Sequence, residues 1–180
     1  MTDHARRHRH VVNLAEVTPR AAPAGEVLGC VVKWLGRAAD GRGLGCSAYE
    51  VQPGHAATPL HYHCANEEAI FVLEGEGELR IGGETVALRA GDYAALPVGP
   101  DFTHQLKNTG EAVLRYLCMS TMLPTEIIGY PEEHRVSAVA AQSLSGEIKP
   151  WVVATIPVEV AERGSDESLR DERSRREGSR

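Results

Sequence analysis

Short runs of apolar or alternating residues recur between residues 26 and 120, and Gly or Pro separates nearly all of them. The runs have the length of strands, and no long amphipathic helix lies between them. This spacing indicates an antiparallel all-β sandwich or barrel rather than alternating strands and helices. The predicted strands cover residues 27–35, 44–51, 61–63, 68–73, 78–81, 84–88, 93–96, 103–107 and 112–119.

The hairpin pattern is clearest at Ile81-Gly82-Gly83-Glu84, where two glycines can take the positive φ angles of a tight primed turn. A second alternation, in residues 103–107, has a different consequence. His104 shares a face with an apolar residue, so we expect a histidine to face the interior, where it needs a partner.

A cluster of metal-binding residue types surrounds this buried histidine in the predicted barrel. In an extended segment His61 and His63 project to the same face. After a short detour, Glu68 opens a strongly apolar strand and can turn into the same interior. Glu67 is the alternative carboxylate, but we expect it to be exposed. Four polar groups facing an apolar interior could satisfy one another, yet a cation offsets their desolvation better.

The chemistry of this set indicates a catalytic rather than a structural metal site. Three neutral imidazoles and one carboxylate leave a divalent ion with a net charge near +1 and, in octahedral coordination, two adjacent free positions. The donors do not select sharply among Fe, Mn, Co, Ni, Cu and Zn. Cys64, which follows His63, is a further residue that could approach the metal or be redox-sensitive.

Charge, hydropathy and cysteine content argue against nucleic-acid-binding, membrane-spanning and secreted classes of protein. The net charge of −6 comes from 19 basic and 25 acidic residues, without a basic stripe that would bind nucleic acid. The apolar runs are far shorter than the roughly 20 residues of a membrane span. Cysteines occur at positions 30, 46, 64 and 118 without CxxC spacing, and no secretion signal is recognisable, so we expect reduced thiols in a cytoplasmic protein.

The two ends of the chain differ from the central region. Residues 1–25 are predicted to be a flexible lead, whose early histidines could bind nickel or zinc adventitiously. Residues 121–160 are predicted to pack on the barrel. Within them 121–131 is too broken by Pro and Gly for a regular element, whereas a strand is expected around 151–153. Residues 161–180 carry alternating charges and are predicted to be disordered or a frayed helix.

The same residues resemble the two motifs of the cupin superfamily. The first motif corresponds to residues 54–75 and the second to residues 91–108. In each motif one gap is longer than in the cupin pattern, between Gly54 and His61 in the first and between Gly99 and His104 in the second. The matching residues are Gly54, His61, His63, Glu68 and Gly75 in the first, and Gly91, Pro97, Gly99, His104 and Asn108 in the second. The resemblance implies a double-stranded β-helix, or jelly-roll barrel, over residues 26–120 with a short irregular or helical C-terminal extension. It also implies one central metal and frequently a homodimer.

The expected function is that of a metal-dependent cupin enzyme acting on a small polar metabolite. An Fe(II) dioxygenase-type oxidoreductase is the leading form, because two open positions let substrate and O2 bind side by side. A non-redox isomerase, lyase or hydrolase, or a non-catalytic sugar-binding cupin, remains an alternative. The sequence does not name a general base, for which the candidates are Tyr49, Glu50, Tyr93 and Gln105.

Overall fold

The computed structural model of the chain describes residues 8–21, 29–140 and 152–158, and these residues form mostly antiparallel β-strands. The strands are β1 Arg20–Ala21, β2 Cys30–Trp34, β3 Leu44–Val51, β4 Tyr62–His63, β5 Glu68–Glu74, β6 Glu76–Ile81, β7 Glu84–Arg89, β8 Tyr93–Leu96, β9 His104–Lys107, β10 Leu114–Thr121, β11 Thr125–Tyr130, β12 Arg135–Ala140 and β13 Val152–Pro157.

In the part of the chain that the structure describes, helical structure is confined to short turns. One α-helical turn, α1, spans Leu35–Ala38, and 3-10 turns span Leu14–Glu16, Pro100–Phe102 and Pro131–Glu133. The helices of the described residues are short, and none could span a lipid bilayer.

The strands form three sheets, in which half of the paired strands are consecutive in sequence and half are not. The largest sheet has the order β1-β2-β3-β10-β5-β8, a second has β13-β12-β11-β4, and a third has β7-β6-β9. All neighbouring strands of these three sheets are antiparallel to each other. The predicted all-β barrel is therefore confirmed.

The barrel interior follows from alternation along the strands. On β5, Ile70 and Val72 are buried whereas Phe71 is exposed on the outer face. Val72 lies in one apolar core with Val51 and Leu114, and all three have 0% exposure. Burial of one face of each strand supplies the main driving force for closing the sheets around this core.

The predicted hairpin at Gly82 and Gly83 is confirmed. It joins β6 to β7, with Ile81 paired to Glu84, and the two glycines have φ angles of 58° and 86°. Consecutive positive φ angles define a primed turn, whose twist matches that of the flanking strands.

Close packing makes Gly77 a sensitive position in β6. A Cβ atom there would lie 2.5 Å from the backbone oxygen of Lys107 and 3.0 Å from a methyl carbon of Leu114. We expect Gly77→Ala to lower the free energy of unfolding by about 1–3 kcal/mol, because the backbone must shift to admit the methyl group. Urea denaturation measures this. Gly43→Ala is the control, since nothing lies within 4 Å of its Cβ, and equal stability of the two variants would contradict the packing.

The C-terminal extension differs from the prediction. An irregular or helical segment was expected at residues 121–131, but β11 occupies Thr125–Tyr130 and pairs with both β12 and β4. That expectation is wrong because Pro124 and Pro131 flank the strand without interrupting it, and Gly129 lies opposite Tyr62, whose ring occupies the space of a Cβ. Of the strand expected around residues 151–153, residues 152 and 153 lie in β13, whereas residue 151 lies outside the described residues.

The N-terminal lead also contains ordered contacts. In β1, Arg20 and Ala21 pair with Val32 and Val31 of β2. The expectation for the charged segment 161–180 lies outside the described residues.

Candidate metal site

Direct backbone pairing holds two of the predicted ligands opposite each other. His61 N–H donates to His104 O at 3.1 Å, and His104 N–H donates to His61 O at 2.7 Å. Residues paired across an antiparallel bridge place their side chains on the same face. Both side chains are buried, and their ring centroids are 4.5 Å apart.

The other two predicted ligands enter from β4 and β5. The Nε2 atom of His63 lies 3.4 Å from Oε2 of Glu68, and the Nε2 atom of His104 lies 3.7 Å from the same oxygen. One ligand atom from each of His61, His63, Glu68 and His104 lies within 4.8 Å of the other three. The structure thus brings together all four residues that the sequence indicated.

Two of the three histidine rings are oriented by a backbone acceptor on their outer side, and the third has a carboxylate nearby. The Nδ1 atom of His61 is 2.9 Å from Pro59 O, and that of His104 is 2.9 Å from Phe102 O. For His63 the neighbour of Nδ1 is Oε2 of Glu126, at 3.6 Å. An acceptor at Nδ1 fixes the tautomer and leaves Nε2 as the metal ligand.

The donor set fits a divalent cation. Both ring nitrogens of His63 and Nε2 of His104 are buried without a hydrogen-bond partner, which is costly in the absence of a compensating group. In octahedral sites with bonds of roughly 2.1 Å, adjacent donor atoms are about 3.0 Å apart. The 3.4 Å and 3.7 Å separations from Glu68 to His63 and His104 are close to this value, and all four donor atoms lie within 4.8 Å of one another.

The electrostatics favour a site that holds a cation. Burial, together with the neighbouring His104, lowers the pKa of His61 to about 4, so this ring is neutral at pH 7. Burial acts to raise the pKa of Glu68, but contacts with His104 and His63 outweigh it and hold that pKa well below its usual range. Burial disfavours the charged form of His63, yet Glu68 and then Glu126 raise its pKa above 6.5.

These shifts predict that metal binding becomes weaker at low pH. The imidazolium of His63 stabilises the metal-free protein below pH 6.5, and this stabilisation is lost as pH rises through its raised pKa. A metal ion must displace that proton, so its apparent affinity falls about tenfold per pH unit below the pKa of His63. We expect the increase in Tm on adding metal to be larger at pH 8 than at pH 6. An increase that is equal at both values would contradict proton displacement.

Other residues singled out from the sequence lie outside the four-residue cluster. Glu67 is exposed, as expected, and the histidines His55 and His134 are exposed as well. Cys64 is also exposed as a residue. Partial burial of its thiol, together with the nearby Glu126 charge, nevertheless raises the pKa of that thiol, which opposes ligation by the thiolate. Cys64 is therefore not one of the clustered ligands.

The general-base candidates are distributed around the barrel. Tyr49 stacks on Tyr116 with ring centroids 5.0 Å apart, and Gln105 donates to Thr58 O. The remaining two, Glu50 and Tyr93, lie on strands β3 and β8, with Glu50 4.0 Å from Arg115 and Tyr93 63% exposed. None of the four belongs to the histidine and glutamate cluster.

Sequence reasoning missed three residues beside the cluster. Glu126 contacts His63, the ring of Tyr130 stacks 6.0 Å from that of His61, and Cys118 lies near Glu68. Burial, with the Glu68 charge, raises the pKa of the Cys118 thiol well above its ordinary value, so it is a neutral neighbour. The sequence pattern that could have indicated Glu126 is its spacing of two from Ile128 and four from Tyr130, which places the three side chains on one face of a strand. This pattern is informative only once residues 125–130 are recognised as a strand.

The fold and the cluster together define a β-barrel protein with one central candidate metal site. The sequence model of the cupin domain family matches residues 48–120, which contain all four clustered residues. Residues 48–120 therefore contain the cupin domain that the two motifs indicated.

Known proteins resemble the chain to different extents. Quercetin 2,3-dioxygenase of Bacillus subtilis is 33% identical over 79 residues, which are 43% of this chain but only 23% of that protein. A sugar phosphate isomerase of the cupin superfamily from Silicibacter pomeroyi superposes with a TM-score of 0.70 and 24% identity, over 87% of this chain and 98% of that one. A predicted oxalate decarboxylase from Thermotoga maritima superposes with a TM-score of 0.55 and 26% identity, over 63% and 99% respectively.

Proposed function

We propose that the chain is a metal-dependent cupin enzyme of the dioxygenase type, which uses Fe(II) and O2 to oxidise a small polar metabolite. The observation that carries this proposal is the convergence of His61, His63, Glu68 and His104 within 4.8 Å, with buried ring nitrogens that lack partners. The similarity to quercetin 2,3-dioxygenase over 43% of the chain supports the oxidative form.

The groups around the site have separate roles in the proposed reaction. A bound divalent ion supplies Lewis-acid and one-electron chemistry at the centre of the barrel. The backbone carbonyls of Pro59 and Phe102 hold two imidazoles in the binding orientation. Glu68 contributes a negative charge that remains ionised across the physiological pH range, because its pKa is held low. Nitrogen and oxygen donors of this kind also accept Mn, Ni, Co or Zn.

The apolar interior around the cluster limits access of water to the reacting groups. Ile70 on β5 and Leu106 on β9 are buried beside the ligands Glu68 and His104 on the same strands. Alternation places Ile70 with Glu68 and Leu106 with His104 on common faces. Exclusion of water strengthens the electrostatic interactions between the ion, its ligands and a polar substrate.

Oxygen consumption tests the proposed reaction. Protein purified without an affinity tag and loaded anaerobically with Fe(II) is mixed with diols, diketones and catechol-like compounds in an oxygen-electrode cell. We expect substrate-dependent O2 uptake that disappears after chelation and returns with Fe(II). Turnover that proceeds equally without O2 would contradict the dioxygenase form and favour Lewis-acid chemistry. A ligand that binds without conversion would favour a sensor or carrier.

We also propose, from the family resemblance, that the protein is a cytoplasmic homodimer. The adjacent residues Phe71 and Tyr93 on the outer face of the largest sheet are 37% and 63% exposed, and an apolar surface of this kind suits an interface between copies. Light scattering after gel filtration is expected to give twice the chain mass of 19.5 kDa. A single chain mass at micromolar concentration would contradict the dimer.

A further inference from the structure

A buried carboxylate from the C-terminal extension lies directly behind one of the clustered histidines. Glu126 belongs to β11, outside the region matched by the cupin family model, and has 4% exposure. Its Oε2 atom is 3.6 Å from Nδ1 of His63. A charged group at this depth needs several partners to offset its desolvation.

Backbone N–H groups supply those partners. Oε1 of Glu126 accepts hydrogen bonds from Cys64 at 3.0 Å, Ala65 at 3.0 Å and Ile127 at 2.9 Å, and Oε2 accepts one from Asn66 at 2.6 Å. Three of these donors form the detour between His63 and Glu68. One carboxylate therefore fixes the loop that separates two of the four clustered residues.

The same carboxylate faces Nδ1 of His63 from the side on which backbone carbonyls accept hydrogen bonds from the other two imidazoles, at 3.6 Å rather than at hydrogen-bond distance. Pro59 O accepts at Nδ1 of His61, and Phe102 O accepts at Nδ1 of His104. Only for His63 is the outer neighbour a carboxylate, which makes the imidazole a more basic ligand when Nδ1–H donates to it.

We infer that Glu126 is a positioning residue of the metal site, which orients His63 through Nδ1 and sets the spacing between His63 and Glu68. This inference rests on the proposed function insofar as the cluster binds a metal ion. It makes β11 an essential part of the site, although that strand lies outside the cupin motifs. A metal site assembled from the motif strands alone would lack the carboxylate behind His63.

A purely structural role is the alternative, and Asn66 offers a matched control. Its side-chain oxygen accepts from Leu123 N–H at 2.8 Å and from Thr121 Oγ1 at 3.3 Å, so it ties the same loop to the same extension. These hydrogen bonds of the Asn66 side chain go to Thr121 and Leu123 and not to His63. Removing it weakens the loop anchor but leaves the carboxylate behind His63 in place.

The experiment compares Glu126→Gln with Asn66→Ala in the full chain. The dissociation constant for Co(II) is measured by competition with a chelator of known affinity, the visible spectrum of the Co(II)-loaded protein is recorded, and the stability of the metal-free protein is measured in urea. We expect Glu126→Gln to weaken Co(II) binding about 10–100-fold and to change the spectrum. Asn66→Ala should retain the wild-type spectrum and bind Co(II) within about threefold of wild type, even where its stability is reduced to a similar extent.

The results that contradict the positioning role differ from the result that contradicts the proposed function. Wild-type affinity and spectrum in Glu126→Gln would overturn the positioning role while leaving the metal site intact. Equal losses of affinity in both variants would reduce Glu126 to a loop anchor and would likewise overturn the inference. Absence of Co(II) binding by the wild-type protein would instead overturn the proposed function on which the inference rests.

Discussion

Replacing His61 with alanine is expected to remove the metal ion from the protein. The buried His61 ring contributes one of four clustered ligand atoms, and no other side chain of the cluster can take its position. We expect elemental analysis to find about one ion per wild-type chain and nearly none in His61→Ala after dialysis. The loss of affinity should exceed the roughly 10–100-fold loss that follows mutation of an outer neighbour of a ligand.

His55→Ala is the control for this experiment. The Nδ1 atom of His55 is 2.9 Å from Pro53 O, the same local geometry that His61 has with Pro59, but His55 is exposed and does not belong to the cluster. It should retain the wild-type metal content. Metal retained at one ion per chain by His61→Ala would place the ion elsewhere.

Replacing Asn108 with alanine is expected to cause a large loss of stability. Asn108 has 0% exposure, and its Nδ2 donates to the carbonyls of Val51 and Ala112 at 2.8 Å each while its Oδ1 accepts from Gly110 N–H at 2.9 Å. Alanine leaves these three backbone groups buried without the amide. Because each unsatisfied group costs about 1–3 kcal/mol, we expect a decrease of roughly 3 kcal/mol in the free energy of unfolding.

Urea denaturation followed by circular dichroism measures this loss. The control is Thr85→Ala, which changes an exposed residue of β7 and should alter the free energy of unfolding by no more than about 0.5 kcal/mol. An Asn108→Ala variant within about 1 kcal/mol of wild type would show that other groups or water satisfy the buried backbone. It would thereby contradict the structural role assigned to this motif residue.

Strands that Gly and Pro separate from their neighbours could be predicted from sequence nearly to their ends. The predictions for residues 44–51 and 93–96 coincide with β3 and β8. Local sequence carries this information, because short apolar runs between turn residues are typical of strands. The four clustered residues were predictable from local pattern as well, since His63, Glu68 and His104 lie at strand ends and His61 forms a bridge to His104.

The extension was less predictable because its structure depends on distant partners. In β11, Gly129 weakens the strand pattern, and its place in the sheet is explained by the ring of Tyr62 in the paired strand β4. β12 has little alternation of its own and is fixed by its pairing with β11 and β13. From sequence alone Glu126 would be assigned to the surface, as most glutamates are. Its burial could not be predicted, because its hydrogen-bond partners are N–H groups of a loop about 60 residues away.

Anomalous X-ray diffraction from crystals of the metal-loaded protein, recorded at the absorption edge of the metal, tests the central claim most directly. We expect one strong anomalous peak per chain, within bonding distance of the Nε2 atoms of His61, His63 and His104 and of a carboxylate oxygen of Glu68. A peak confined to the histidines near the N-terminus, or the absence of a peak among these four side chains in protein that contains one ion per chain, would contradict it.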